Sequence, residues 1–164
     1  MLNSDNKEKL KDILSILETN FQRLNFAFSR TEKFLPFSIS TLQNLKPEQI
    51  SFIDQYIFRF AKIQDIMGEK LFRMILEAVE EETDSLAFID MLNRLEKLAV
   101  IPDKTEWLYL RKLRNEVSHE YPSIDDITVS VLNNIFSSKD KLTMMYRSCI
   151  DYLGKRNIIK QQEQ

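Results

Sequence analysis

The chain has 164 residues, 23 of them lysine or arginine and 25 aspartate or glutamate, for a formal net charge of −2. That length fits one domain with a sizeable core, and so small a net charge excludes a polycation built to coat nucleic acid, so any nucleic-acid site must be a local patch. A single cysteine, Cys149, leaves no intrachain disulfide; with a polar start unlike a signal peptide and no apolar run near the ~20 residues of a membrane span, the expectation is a cytoplasmic protein with no membrane segment.

Only two glycines occur, Gly68 and Gly154, and turn dipeptides are few, which predicts few hairpins and an all-α chain. A first helix is expected from about Asp5 to Lys33. Its Leu10, Leu14, Leu17, Phe21, Leu24 and Phe28 recur at spacings of four and three and form one apolar stripe. "FLPFSISTLQNLKP" reads as a connector, and Pro47 suits the first turn of a second helix, where its missing N–H costs nothing. That helix carries Ile50, Ile53, Ile57, Phe60, Met67, Leu71, Met74 and Ala78 on one stripe, with Gln64 as a polar interruption. Asp84 is a candidate N-cap for a short third helix through Ala99. Clustered acids in "EAVEEETD" read as solvated surface, because no metal-ligand spacing supports them; no metal site and no cofactor is predicted.

Asp103, with Glu106 three residues on, caps a fourth helix whose apolar face is Trp107, Leu110, Leu113 and Val117 and which Pro122 closes. Ser123 with Asp126 opens a fifth helix, with Ile127, Val131, Ile135, Leu142, Met145 and Leu153 facing inward and a kink expected at "SSKD". The architecture that follows is an up-and-down four- or five-helix bundle. It forms a single domain over residues 1–157, with a flexible tail at 158–164.

The chemistry-bearing stretch is "RKLRNEVSHEYP", residues 111–122, which holds the only histidine. At about 100° per residue, Arg111, Asn115 and His119 fall in one row, four residues apart. Arg114 lies about 140° from His119 around the axis, so the two share no face of a straight helix. They converge only if the helix ends there or if a second copy supplies the partner. Pro122 disfavours helical geometry at Tyr121, so its side chain should project from a helix end. His119, in the last turn, sits near a negative dipole end that favours the imidazolium. With Arg111, Lys112 and Arg114 close by, such a cluster can bind phosphate and move protons. Equally, a lone histidine near a helix end acts as a C-cap and a neighbouring arginine as surface, and nothing in the residues alone names a substrate.

"RNEVSHEY" resembles the Arg-x4-6-His-x-Tyr motif of HEPN domains, with Arg114, Asn115, His119 and Tyr121 in the matching places. "PDKTEWLYLRKLRNEVSHEY", with Trp107 seven before Arg114, resembles the motif-bearing helix of HepT toxins and of nucleotidyltransferase substrate-binding proteins. "IDQYIFRFAKIQDIMGEKLF" resembles their second helix, where an Arg-Phe pair, here Arg59-Phe60, precedes an acidic residue near Asp65. Two features depart from the pattern: Ala61 follows the pair where a glutamate is common, and the N-terminal helix and connector are long. The resemblance covers residues 50–122.

That resemblance implies a HEPN-like bundle that forms a homodimer, bringing two motifs into one cleft. It implies a metal-independent endoribonuclease of a toxin–antitoxin pair, with Arg114 and His119 catalytic and Asn115 and Tyr121 supporting. The paired MntA-like nucleotidyltransferase antitoxin would silence it by transferring AMP to Tyr121. RNA carries its own nucleophile, the 2′-OH. A histidine with a pKa near 7 can take that proton, a guanidinium can hold the phosphate at two points, and Arg111 and Lys112 would add phosphate contacts. Two other readings stand beside this one: a non-catalytic HEPN subunit that docks a nucleotidyltransferase and a nucleotide, and a purely structural helical dimer.

Overall fold

The structure, a computed structural model, describes residues 3–79, 83, 85–117 and 123–159. All regular structure among them is helical, and the chain folds as a helical bundle. The elements are α1 (Ser4–Thr31), a 3-10 turn (Glu32–Phe34), α2 (Ile39–Gln43), α3 (Pro47–Ile66), a π-helical segment (Met67–Leu71), α4 (Phe72–Val79), α5 (Phe88–Lys97), α6 (Lys104–Val117), α7 (Asp126–Ser137) and α8 (Lys139–Lys155). No helix among the described residues is long and apolar enough to cross a membrane.

α1 starts at Asn3, whose side chain accepts from the Asn6 N–H at 2.8 Å and satisfies one of the helix's orphan donors. Its stripe is the one expected: Leu10, Leu17, Phe21 and Leu24 are buried, and Leu14 and Phe28 pack against them half-buried. α3 runs antiparallel to it, since Phe52 meets Phe26 and Arg59 meets Asn20. Pro47 is the first residue of α3, and Gln49 Oε1 accepts from the Lys46 N–H at 2.8 Å to close the start.

The second predicted helix is continuous through α3 and α4, but the π-helical turn inserts between them. One extra residue there rotates the stripe, and the buried set passes from Ile53, Phe60 and Met67 to Leu71, Phe72, Ile75 and Leu76. Periodicity alone mistook the ends: Ile50 is exposed on the first turn of α3, and Ile127 is 67% exposed at the start of α7, so both expected core residues face out.

Asp84, the expected cap of the third helix, lies outside the described residues; α5 has Ala87 at its N-cap position, without a side-chain cap bond. Asp103 does cap α6, accepting from the Thr105 N–H at 2.7 Å. At α7 the cap is Asp125 rather than Ser123: Asp125 Oδ1 accepts from the Thr128 N–H at 2.9 Å, while Ser123 contributes its carbonyl to Thr128 Oγ1. The expected kink is a full break at Ser138, whose hydroxyl donates to the Asn134 carbonyl at 2.7 Å and separates α7 from α8. Ile158 and Ile159, assigned to the tail from sequence, pack half-buried against the core.

An aromatic stack fixes the connector end of the bundle. Tyr56 and Phe136 lie 3.9 Å apart, Phe37 meets Phe136 edge-on at 5.1 Å, and Tyr56 donates to the Ile135 carbonyl at 3.2 Å. Asn133 clamps the Phe37 backbone at both its N–H and its C=O, at 2.7 and 2.9 Å. At the other end Trp107, 1% exposed, packs edge-on against Phe72 at 4.6 Å and ties α6 to the α3–α4 rod.

Candidate functional site

The amphipathic pattern of α6 decides which of its residues can meet. Burying Trp107, Leu110 and Leu113 against the rod leaves Arg111, Arg114 and Asn115 along one flank, and these three line a cleft of about 430 Å3. Asp65 and Glu69 come from the opposite wall, and Phe88 from the start of α5. The wall bends at the π-helical turn, where Gly68 lies so close to α6 that an added Cβ would stand 3.3 Å from Trp107 Cζ2. A side chain there would push the two walls apart; glycine lets them approach.

Arg114 is held at two points in the cleft. Its Nε and Nη2 donate to Asp65 Oδ1 and Oδ2, each at 3.0 Å, a two-point pair between partly exposed side chains. Nη1 lies 3.4 Å from Asn115 Oδ1. The hydrogen bonds to Asp65 hold the guanidinium charged, above its ordinary range, against partial burial; the charges of Asp65 and Glu69 add to this. Arg111 lies over the Phe88 ring, its Cζ 4.3 Å from the centroid, a cation–ring contact at the edge of the cleft that both residues line. Arg73, the third arginine of the cleft, donates to the Thr83 carbonyl at 3.2 Å. Among the described residues, three guanidiniums and two carboxylates line the cleft. Gln64 Nε2 and Trp107 Nε1, both of residues that line the cleft, are buried with no hydrogen-bond partner among the described residues.

Of the residues predicted from sequence, Arg111, Arg114 and Asn115 are thus brought together. Lys112 is not: it stands on the outer side of α6, largely exposed, with Nζ 3.8 Å from Glu116. His119 and Tyr121 lie outside the described residues, two and four positions beyond the described end of α6 at Val117. The Arg59-Phe60 pair divides. Phe60 is fully buried, while Arg59 turns to α1 and donates to Asn20 Oδ1 at 3.0 Å, away from the cleft.

Periodicity and spacing missed Phe88, Glu69 and the π-helical turn, all of which shape the cleft. Asp65 came to notice only through the HEPN resemblance. A buried polar residue on an apolar stripe, Gln64, was the one local signal that this stretch of α3 borders something other than core. Compared with protein-family models, curated proteins and solved structures, the chain matches none of them.

Proposed function

We propose that the protein is a cytoplasmic HepT-like toxin of the HEPN family, a homodimeric, metal-independent endoribonuclease neutralised by a nucleotidyltransferase antitoxin. One observation carries this reading. Arg114, the first residue of the Arg-x4-His-x-Tyr motif, is aimed by Asp65 along the wall of a cleft that also holds Arg111 and Asn115, the row that leads to His119.

In the proposed reaction His119 takes the proton of a ribose 2′-OH. The 2′-oxygen attacks the adjacent phosphorus, the bond to the 5′-oxygen breaks, and that oxygen takes a proton from water as it leaves. The products are a 2′,3′-cyclic phosphate and a 5′-hydroxyl. Arg114 and Arg111 stabilise the added charge on the phosphorus oxygens, and DNA, lacking the 2′-OH, is not cut. Leu108 and Tyr109, both more than a third exposed on the outer side of α6, give a second copy an apolar surface on the motif-bearing helix. The AMP acceptor in this reading is the Tyr121 hydroxyl.

The Asp65–Arg114 pair also favours a second reading. A guanidinium with two donors committed to a carboxylate is a strut between α3 and α6, and a HEPN subunit that only docks a nucleotidyltransferase would keep such a strut. RNA cleavage by the purified protein separates the two. A toxin cleaves single-stranded RNA in EDTA and loses that activity in Arg114→Ala and in His119→Ala; a docking subunit cleaves nothing and still co-purifies with the nucleotidyltransferase.

A further inference from the structure

On the far side of Arg59 the α1–α3 seam carries half-exposed aromatic rings under guanidinium groups. Phe26 and Phe58 are 47% and 57% exposed. Phe52 meets Phe26 edge-on at 5.8 Å, and Arg30 lies over both rings, 5.2 Å from the Phe26 centroid and 6.0 Å from that of Phe52. Arg59 lies over Phe58 at 5.0 Å. Partial burial and, after it, the nearby charge of Arg23 lower the pKa of the Arg59 guanidinium. On the helical wheel Arg23, Phe26 and Arg30 share one flank of α1, and Phe52, Arg59 and Lys62 one flank of α3.

Aromatic rings interleaved with cations are ordinary on a protein surface when each cation also has a carboxylate. Here no ion pair is made by Arg23, Arg30 or Arg59 among the described residues, whereas Lys112 and Arg114 of α6 and Lys139 and Lys141 of α8 each stand within 4.0 Å of a carboxylate; Arg111, Arg147 and Lys155 of the same two helices, like the seam, show no such pair. Glu32 follows Arg30 by two residues without a salt-bridge contact to it, and Asp54, one turn before Phe58 on the same flank, lies about 140° around α3 from Arg59. In a chain of net charge −2 this seam concentrates positive charge beside half-exposed rings. Guanidinium edges take phosphates, and rings take bases by stacking, a pairing of groups that suits a single strand with its bases unstacked from any partner.

We infer that the α1–α3 seam, through Phe26, Phe58, Arg23, Arg30 and Arg59, is a binding platform for single-stranded RNA. The inference rests on the ribonuclease reading for its role, and it extends the substrate path. Phe58, Lys62 and Asp65 follow one another at four and three residues, so about 10 Å of helix separates Phe58 from the carboxylate that aims Arg114. About three nucleotides at the roughly 3.4 Å spacing of a stacked strand cover that span. The platform holds the strand beside the cleft and makes unpaired RNA, not duplex, the preferred substrate.

The test is fluorescence anisotropy of a short labelled oligouridylate with the full chain carrying His119→Ala, so that no RNA is consumed. Added Phe58→Leu or Phe26→Leu is expected to weaken binding about tenfold, since leucine keeps apolar area but offers no stacking face. Arg30→Gln is expected to flatten the salt dependence by about 0.7 in log–log slope. Base-free polyphosphate should bind far more weakly than oligouridylate, and the two leucine variants should leave that binding unmoved. Both rings are half-exposed, so the fold should survive; if Phe26→Leu unfolds, Phe58→Leu carries the test alone. Parent-like affinity in Phe58→Leu, equal binding of duplex RNA, or a change of oligomeric state in place of lost RNA affinity overturns the platform. A parent that cleaves RNA while its His119→Ala form binds equally with and without Phe58 removes the platform and leaves the ribonuclease reading standing. A protein that binds through these rings and never cleaves leaves the platform and removes the ribonuclease.

Discussion

Arg114 of α6 and Asp65 of α3 are joined at two points, Nε to Oδ1 and Nη2 to Oδ2, both at 3.0 Å. Each side chain is about a third exposed, so water and salt screen the pair and its contribution to stability is about 1 kcal/mol or less. Its larger effect is on direction, because the two-point contact fixes the plane of the guanidinium. Asp65→Asn should therefore leave the melting temperature within a few degrees of the parent yet lower RNA cleavage severalfold. In a double-mutant cycle with Arg114→Ala, the Asp65 substitution should cost nothing further in cleavage once the arginine is gone. Additive losses in that cycle would separate the two residues.

Trp107 is the only tryptophan and is buried between α6, Phe72 and Gly68. Its emission should be blue-shifted and poorly quenched by acrylamide in the native protein, and should move red in one transition with denaturant. Trp107→Ala should destabilise the fold by about 3–5 kcal/mol through the cavity it leaves, read from the shift of the urea midpoint by circular dichroism. Trp107→Phe should cost much less.

The helix caps set the acid response. Asp125 is held below the usual carboxylate range by the backbone N–H and then the side chain of Thr128, and Asp103 by the side chain and then the backbone N–H of Thr105. Both bind a proton less tightly folded than unfolded. Their stabilisation is thus complete above the ordinary aspartate pKa of about 3.9 and is lost as pH falls through the lower folded value. Asp125→Asn keeps an acceptor for the Thr128 N–H but cannot titrate. Its melting temperature should match the parent's near neutrality and fall less steeply below about pH 4; parallel curves would contradict this.

Co-expression with a cognate nucleotidyltransferase should raise the protein's mass by whole AMP units on Tyr121 and abolish growth inhibition. The added phosphate would compete with RNA for Arg114, within a few residues of it in sequence. Tyr121→Phe should keep much of the cleavage activity and resist silencing. Full neutralisation of Tyr121→Phe, with no mass gain, would assign inhibition to docking alone.

The helical core was readable because α1 and the rod bury one face over many turns, and an apolar stripe as long as Leu10 to Phe28 fits a helix packed along its whole length and no strand. The ends were not. Ile50 and Ile127 continue their stripes in sequence, but each sits on the first turn of its helix and faces solvent. Ser123 and Asp125 are both good caps, and only the turn geometry, with the Ser123 carbonyl taken by Thr128 Oγ1, chooses the aspartate. At the site, spacing put Arg111 and Asn115 in one row and the structure keeps them in one cleft. Phe88 and the π-helical turn reach it from other elements, so no local pattern could announce them. Lys112 is not among the residues lining the cleft, for an angular reason: adjacent to Arg111 in sequence, it lies about 100° further round the helix.

The chemical identity of the cleavage products tests the central claim most directly. Incubated with single-stranded RNA in EDTA, the protein should generate 2′,3′-cyclic phosphate and 5′-hydroxyl ends, and a single 2′-deoxy substitution at the cleaved position should stop the reaction. Products ending in 3′-hydroxyl and 5′-phosphate, or cleavage that survives the 2′-deoxy substitution, would contradict a mechanism in which His119 deprotonates the ribose and Arg114 holds the phosphate.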